Sequence, residues 1–189
     1  MVREVTHLDS DHQILNKLMD EYGNDVWNYA YFLTGNRDQA DDISQEVFIK
    51  VYQGLHTFRG DASRKTWLFT ITRNTAFSYR RSRFFKQGLL GGRVSSLDYP
   101  VEGSSAAKYS TSTSPSAETE VLEQQYADAI WDIIMELPDK FREVLVLSLK
   151  YDMKIKEIAE LLNVSEGTVK SRLSRAKLKA QKELRRLEE

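Results

Sequence analysis

The residues best suited to chemistry lie near the C-terminus, where a short apolar-faced helix, a tight turn and a basic helix follow one another. The first runs Ile155 to Leu162, the turn is Asn163-Val164-Ser165, and the second continues from Glu166 to Lys177. Such a pair can set side chains into a DNA major groove. Ile155, Ile158 and Leu162 recur at helical spacing, and Ala159 is small where two helices would cross. Ser165 is an N-cap residue type, with Glu166 in the first turn facing the positive end of the helix dipole. Val169 and Leu173, four apart, point into a core. That leaves Lys170, Ser171, Ser174, Arg175 and Lys177 facing outward. The same pattern also fits an amphipathic surface helix with a solvated basic face, and helix-turn-helix geometry occurs in proteins that never touch DNA.

A second constellation runs from Phe58 to Arg81. It combines a glycine-containing loop, an aromatic-rich helix and an arginine cluster. Aromatic faces stack on exposed bases while Arg and Lys track phosphates. A loop at a helix start can form a pocket for a flipped base. The alternative is that Trp67, Phe69 and Phe77 are core residues. Trp67, beside Leu68 and Ile71, reads as core, whereas Arg80 and Arg81 read as functional.

These residues sit in a chain of 189 amino acids with a net charge of −1 that hides an uneven distribution. The first fifty residues are acidic. From Ser63 to Arg93 there is no acid at all, but Arg64, Lys65, Arg73, Arg80, Arg81, Arg83, Lys86 and Arg93 are present. The C-terminal helix is basic again. Two basic zones separated by a neutral stretch imply two contacts with a polyanion. The absence of cysteine excludes disulfides and cysteine-ligated zinc, and fits a reducing cytoplasm. No signal-peptide core or bilayer-length apolar run is present, so the expected location is cytoplasmic. His7, Asp9, Asp11 and His12 lack further ligands and are not read as a metal site. His56, near a helix end, reads as a surface or capping residue. There is no glycine-rich phosphate loop ending in Lys-Ser/Thr, so an enzyme is not expected, nor a cofactor or small-molecule ligand.

Helical periodicity predicts a helix over 11–33, broken at Gly35-Asn36, and a second over 38–55 with Ala40, Ile43, Val47, Val51 and Leu55 as its buried stripe. A third is predicted over 65–83, with Trp67, Leu68, Ile71 and Thr75 inward. Residues 88–118 are rich in Gly, Ser, Thr and Pro and read as a flexible linker. Helical periodicity returns with Val121, Leu122, Ala129, Ile133 and Ile134. Leu137-Pro138-Asp139 marks a turn before a helix carrying Phe141, Val144, Leu145 and Leu149. The expected fold is therefore all-α: two small helical domains, 1–87 and 119–189, joined by a flexible linker at 88–118, the second domain containing the helix-turn-helix.

Three blocks in order resemble the bacterial extracytoplasmic-function (ECF) group of sigma-70 family RNA polymerase sigma factors. They are Asp41 to Tyr52, Phe58-Arg59-Gly60 to Tyr79, and Leu137-Pro138 with Glu166 to Arg172. The resemblance spans nearly the whole chain. It implies a region 2-like first domain that binds core RNA polymerase and the −10 promoter element. It also implies a region 4-like second domain that reads the −35 element. The helix carrying Asp41, Asp42, Gln45 and Glu46 would dock on the clamp helices of the β′ subunit. Phe48 and Ile49 would add apolar contact there, and the second domain would meet the β flap. The loop of Phe58, Arg59, Gly60, Asp61, Ser63, Arg64 and Lys65 would capture a flipped base. Asn74 would help open the duplex, and Arg73, Arg80 and Arg81 would hold the strands. Lys170, Ser171, Ser174, Arg175 and Lys177 would face the −35 element, with Thr168 and Arg172 steadying its backbone. Ser174 is smaller than the residue relatives often carry there. An anti-sigma protein is a further implied partner.

Elements about 17 base pairs apart lie about 58 Å apart at 3.4 Å per step. A tether of about 30 residues extends to roughly 100 Å and spans that gap. The rival reading is a helix-turn-helix transcriptional regulator that does not substitute for sigma. It would need a ligand pocket or phospho-acceptor in the first half, where no receiver-like βα alternation is found.

Overall fold

The computed structural model describes residues 2–60, 62–89 and 129–188, with side chains described over 11–60, 62–82 and 129–186. Among the described residues the regular elements are all helical. They divide into two compact units, one drawn mainly from the N-terminal half of the chain and one mainly from the C-terminal half. The predicted linker lies almost wholly outside the described residues.

In the first unit, α1 covers Val2–Thr34, beginning nine residues before the apolar period that predicted it. Gly35 stops it with φ +67, and its N–H donates to Tyr31 O at 2.7 Å. That left-handed backbone suits glycine after a helix end. Asn36 then caps α2, Arg37–Gly54, its side chain accepting from Gln39 N at 3.0 Å. The stripe Ala40, Ile43, Val47 and Val51 is fully buried, as the period requires. Leu55 leaves that stripe: it opens a 3-10 turn, Leu55–Thr57, and is half-buried.

The third helix, α3, covers Arg64–Leu89 and so includes Gly88 and Leu89, assigned to the linker by composition. Helix propagation adds a hydrogen bond per residue fixed, and one glycine costs only about 1 kcal/mol. The buried face of α3 is also rotated from the predicted one. Leu68 and Thr75 are buried, but Trp67 and Ile71 are half-buried, and Phe69, Thr72 and Ala76 take the core positions. The cause is that α3 packs against both α1 and α2. Phe69 stacks on Tyr29 at 4.8 Å between centroids, and both rings are inaccessible to solvent.

Later in the chain, α4 covers 129–136 of the described residues, α5 is Asp139–Leu149, α6 is Ile155–Leu162 and α7 is Glu166–Glu188. Pro138, with φ −51, enters α5 at the predicted turn. Buried Arg142 clamps that turn by donating to Met135 O at 2.9 Å and pairing with Asp139. Helix α5 packs on α7, and Val144, Leu145, Val146, Leu147, Val169 and Ala176 are buried. Asn163 (φ +53) ends α6, with Asn163 N donating to Glu160 O and Val164 N to Ala159 O. These are the paired bonds of a Schellman turn, with asparagine tolerating the left-handed position.

Candidate functional site

The acidic face of α2 forms because the buried stripe leaves Asp41, Asp42, Gln45 and Glu46 exposed. Ile49 extends that face and is 58% exposed. Phe48, also expected to add apolar contact there, is 9% exposed and lies on the core side of α2. The helix turns about 100° per residue, so adjacent Phe48 and Ile49 diverge. The carboxylates have intramolecular partners. Trp27 Nε1 donates to Asp41 Oδ1 at 2.6 Å, and Tyr79 Oη donates to Asp42 Oδ2 at 2.7 Å. Glu46 pairs with Lys50 at 2.7 Å, and Lys50 Nζ also donates to Thr75 Oγ1 at 3.1 Å. Sequence reasoning missed Trp27, Tyr79 and Lys50. The Glu46/Lys50 pair was readable as an i,i+4 spacing. The aromatic donors lie 14 and 37 residues away, so only the fold reveals them.

The loop before α3 turns at Gly60, whose φ of +78 favours glycine. Arg59, Gly60, Ser63 and Arg64 are exposed, and Asp61 lies outside the described residues. Phe58 is half-buried and packs on Trp67, with centroids 5.0 Å apart. Ser63 caps α3: Thr66 N donates to its Oγ at 3.1 Å, and the two hydroxyls lie 2.9 Å apart. Lys65 folds back, 3.9 Å from Asp25 and 5.9 Å from the Phe69 ring centre.

Further along α3, Arg73, Phe77 and Arg81 recur at spacings of four and form one row, with Asn74 beside it three residues before Phe77. Asn74, Phe77 and Arg81 are exposed. Phe77, offered as a core alternative, is 41% exposed with the Arg73 guanidinium 4.6 Å above its ring. Cation–π attraction of this kind is worth about 0.5–1 kcal/mol at an exposed site. Arg80 is half-buried and donates to Leu33 O at 3.4 Å, whereas Arg81 is exposed.

On α7, Val169, Leu173 and Ala176 face the core. Lys170, Ser171, Ser174, Arg175 and Lys177 are exposed, and Thr168 and Arg172 half-buried. Lys170, Ser174 and Lys177 form one row along the helix, and Ser171 and Arg175 the next. Ser165 caps this helix as expected, accepting from Thr168 N at 3.2 Å, with the two hydroxyls 2.9 Å apart. The Ser171 hydroxyl donates to Thr168 O at 2.9 Å, which leaves it as an acceptor towards a partner. The exposed cations form a ridge suited to phosphates and base edges.

Among the described residues no cluster of three or more His, Asp or Glu is placed to hold a metal ion. The side chains of His7 and Asp9 lie outside the described residues. His12 stacks on Tyr52, with centroids 5.1 Å apart, and His56 is exposed. No described helix is long and apolar enough to cross a membrane.

Comparison with known proteins matches residues 18–84 to sigma-70 region 2 and residues 127–179 to sigma-70 region 4. The ECF RNA polymerase sigma factor SigW of Bacillus subtilis is 28% identical over 180 residues, covering 94% of this chain and 92% of its own length. The ECF RNA polymerase sigma-E factor of Haemophilus influenzae is 31% identical over 173 residues, covering 88% of this chain and 85% of its own. Among solved structures, the sigma factor RpoE of Bartonella quintana, crystallised with the anti-sigma factor NepR, shares the fold. Its TM-score is 0.67 at 23% identity, over 90% of this chain and 96% of that one.

Proposed function

We propose that this chain, which belongs to the sigma-70 family as an ECF RNA polymerase sigma factor, divides the work of transcription initiation between its two helical units. It is an alternative sigma factor that binds core RNA polymerase and brings it to promoter DNA. The first unit, with residues 1–87 as its sequence boundary, takes the polymerase on the acidic face of α2 and the −10 element on α3. The second, 119–189, reads the −35 element with α7, and 88–118 tethers them. The chain has no catalysis of its own and works where the polymerase is.

The observation that carries this reading is the separation of charge by face. Asp41, Asp42 and Glu46 are exposed on α2, where a basic protein surface fits and DNA is repelled. Arg73, Phe77 and Arg81 form a row on α3 with Asn74 beside it, and Lys170, Arg175 and Lys177 are exposed on α7. The mixed aromatic and cationic face of α3 suits unstacked bases, whereas the α7 ridge, without aromatics, suits a closed duplex. Asn74, among these cations, would hold a separated strand by hydrogen bonding. Arg59, Arg64 and the Gly60 turn would form the mouth of a base pocket backed by Phe58 and Trp67. The matching relative RpoE was crystallised with an anti-sigma factor, and the same exposed surfaces would serve a protein inhibitor of this chain.

Binding of core polymerase to forked promoter DNA, with and without this chain, tests the division. Arg73→Ala with Arg81→Ala should weaken capture of a fork carrying the −10 strand and leave capture of a −35 duplex unchanged. Equal loss on both templates would contradict it.

A further inference from the structure

We propose that Trp27 and Tyr79 are positioning residues that hold Asp41 and Asp42 ready for the basic surface of the polymerase. This inference rests on the reading of α2 as the polymerase-docking helix and names what presets it. Successive residues on a helix diverge by about 100°, so Asp41 and Asp42 cannot be steadied by one neighbour. Helix α2 packs against both α1 and α3, and each supplies one donor. Trp27 on α1 reaches Asp41 at 2.6 Å, and Tyr79 on α3 reaches Asp42 at 2.7 Å. The indole is itself held, lying parallel to the ring of buried Tyr31 at 5.7 Å between centroids and 6° between planes.

The chemistry of the donors separates this arrangement from ordinary surface pairing. An indole N–H and a phenol O–H are neutral, so they fix the carboxylates while leaving both negative charges in place. Glu46 is the contrast on the same face: its partner is the Lys50 ammonium, which offsets its charge. An ionised carboxylate has about four acceptor positions, and one bond from Trp27 or Tyr79 leaves room for a guanidinium or ammonium of the partner. Fixing a side chain before association removes an entropy cost that would otherwise weaken binding.

The test is a double-mutant cycle on affinity for core RNA polymerase, using the full chain with Tyr79→Phe, Asp42→Asn and both together. Trp27→Phe with Asp41→Asn forms a second cycle. Tyr79→Phe keeps its ring and removes only the hydroxyl, whereas Trp27→Phe also trims the indole that lies on Tyr31, a packing loss that the Asp41→Asn background carries equally. Thermal unfolding of every variant is followed separately, and affinities are read well below the transition. Tyr79→Phe and Trp27→Phe should each weaken binding roughly two- to tenfold. That loss should shrink when the matching aspartate is already asparagine, which still accepts from the aromatic donor but offers the partner no charge. Equal losses in both backgrounds, or lower unfolding temperatures with unchanged affinity, would overturn the proposal and leave these aromatics a purely structural part. If Asp41→Asn and Asp42→Asn themselves bind as tightly as the unaltered chain, the docking role of α2 fails first and takes this inference with it.

Discussion

The two units offer their partners side chains in opposite states of preparation. In the first, the candidate contact residues are already engaged: Asp41 with Trp27, Asp42 with Tyr79, Glu46 with Lys50, Arg73 with Phe77, and Arg80 with Leu33 O. In the second, Lys170, Ser174, Arg175 and Lys177 project from α7, where the ion pair among the described residues is the distant Arg186–Glu183. A preset surface suits a protein docking face and the capture of separated bases, where geometry decides. Long, exposed cations suit duplex phosphates, where charge density and counterion release supply affinity without a fixed geometry. One feature is common to both. Helices α3 and α7 each begin with a Ser-x-x-Thr cap of nearly the same dimensions, at Ser63/Thr66 and Ser165/Thr168. The exposed cations of α7 therefore stand on a firmly started helix.

The largest expected effect lies in the first unit. Asp42→Arg with Glu46→Arg places like charge against a basic partner, which costs several kcal/mol, and should lower affinity for core polymerase roughly 100-fold or more. Binding of a −35 duplex should persist, and titration of the same protein against both ligands checks this. Next, Arg175→Ala should weaken −35 binding by about 1–3 kcal/mol while leaving polymerase affinity intact. Lys177→Ala should weaken it nearly uniformly across sequences and reduce the slope of log affinity against log salt by about 1. Salt titrations of both variants sharpen the contrast, because polymerase docking on the preset α2 face should change less.

Smaller effects probe the common cap. Ser165→Ala and Ser63→Ala should each cost about 1 kcal/mol of helix stability, and the similarity of the two losses is itself the expectation. Denaturant unfolding followed by near-ultraviolet signals from Trp131 and Trp67 would assign each loss to its unit. The smallest effect is expected for Ser171→Ala. Its hydroxyl hydrogen is held by Thr168 O, so stability should change by less than about 0.5 kcal/mol.

Helical period and cap chemistry carried much of this molecule in its sequence. The α2 stripe Ala40, Ile43, Val47, Val51 and the α7 stripe Val169, Leu173 were readable because each helix buries one continuous face. The Ser165 cap was readable because it is a local motif. Helix α3 was misread by about one residue's rotation: packing against two helices buries a broader face, and Phe69 rather than Trp67 fills the core. The burial of Phe48 was not legible for a related reason, since it flanks the period on the side that α2 also buries. Trp27 and Tyr79 were invisible as partners of Asp41 and Asp42, because contacts between residues on different helices leave no trace in local spacing.

The most direct test of the central claim is run-off transcription by bacterial core RNA polymerase on fragmented genomic DNA from the source organism, with and without this chain. A sigma role predicts discrete transcripts that appear only when the chain is present and that vanish with Asp42→Arg/Glu46→Arg. DNA binding by the chain without any new transcript would contradict it and favour a regulator that cannot replace sigma.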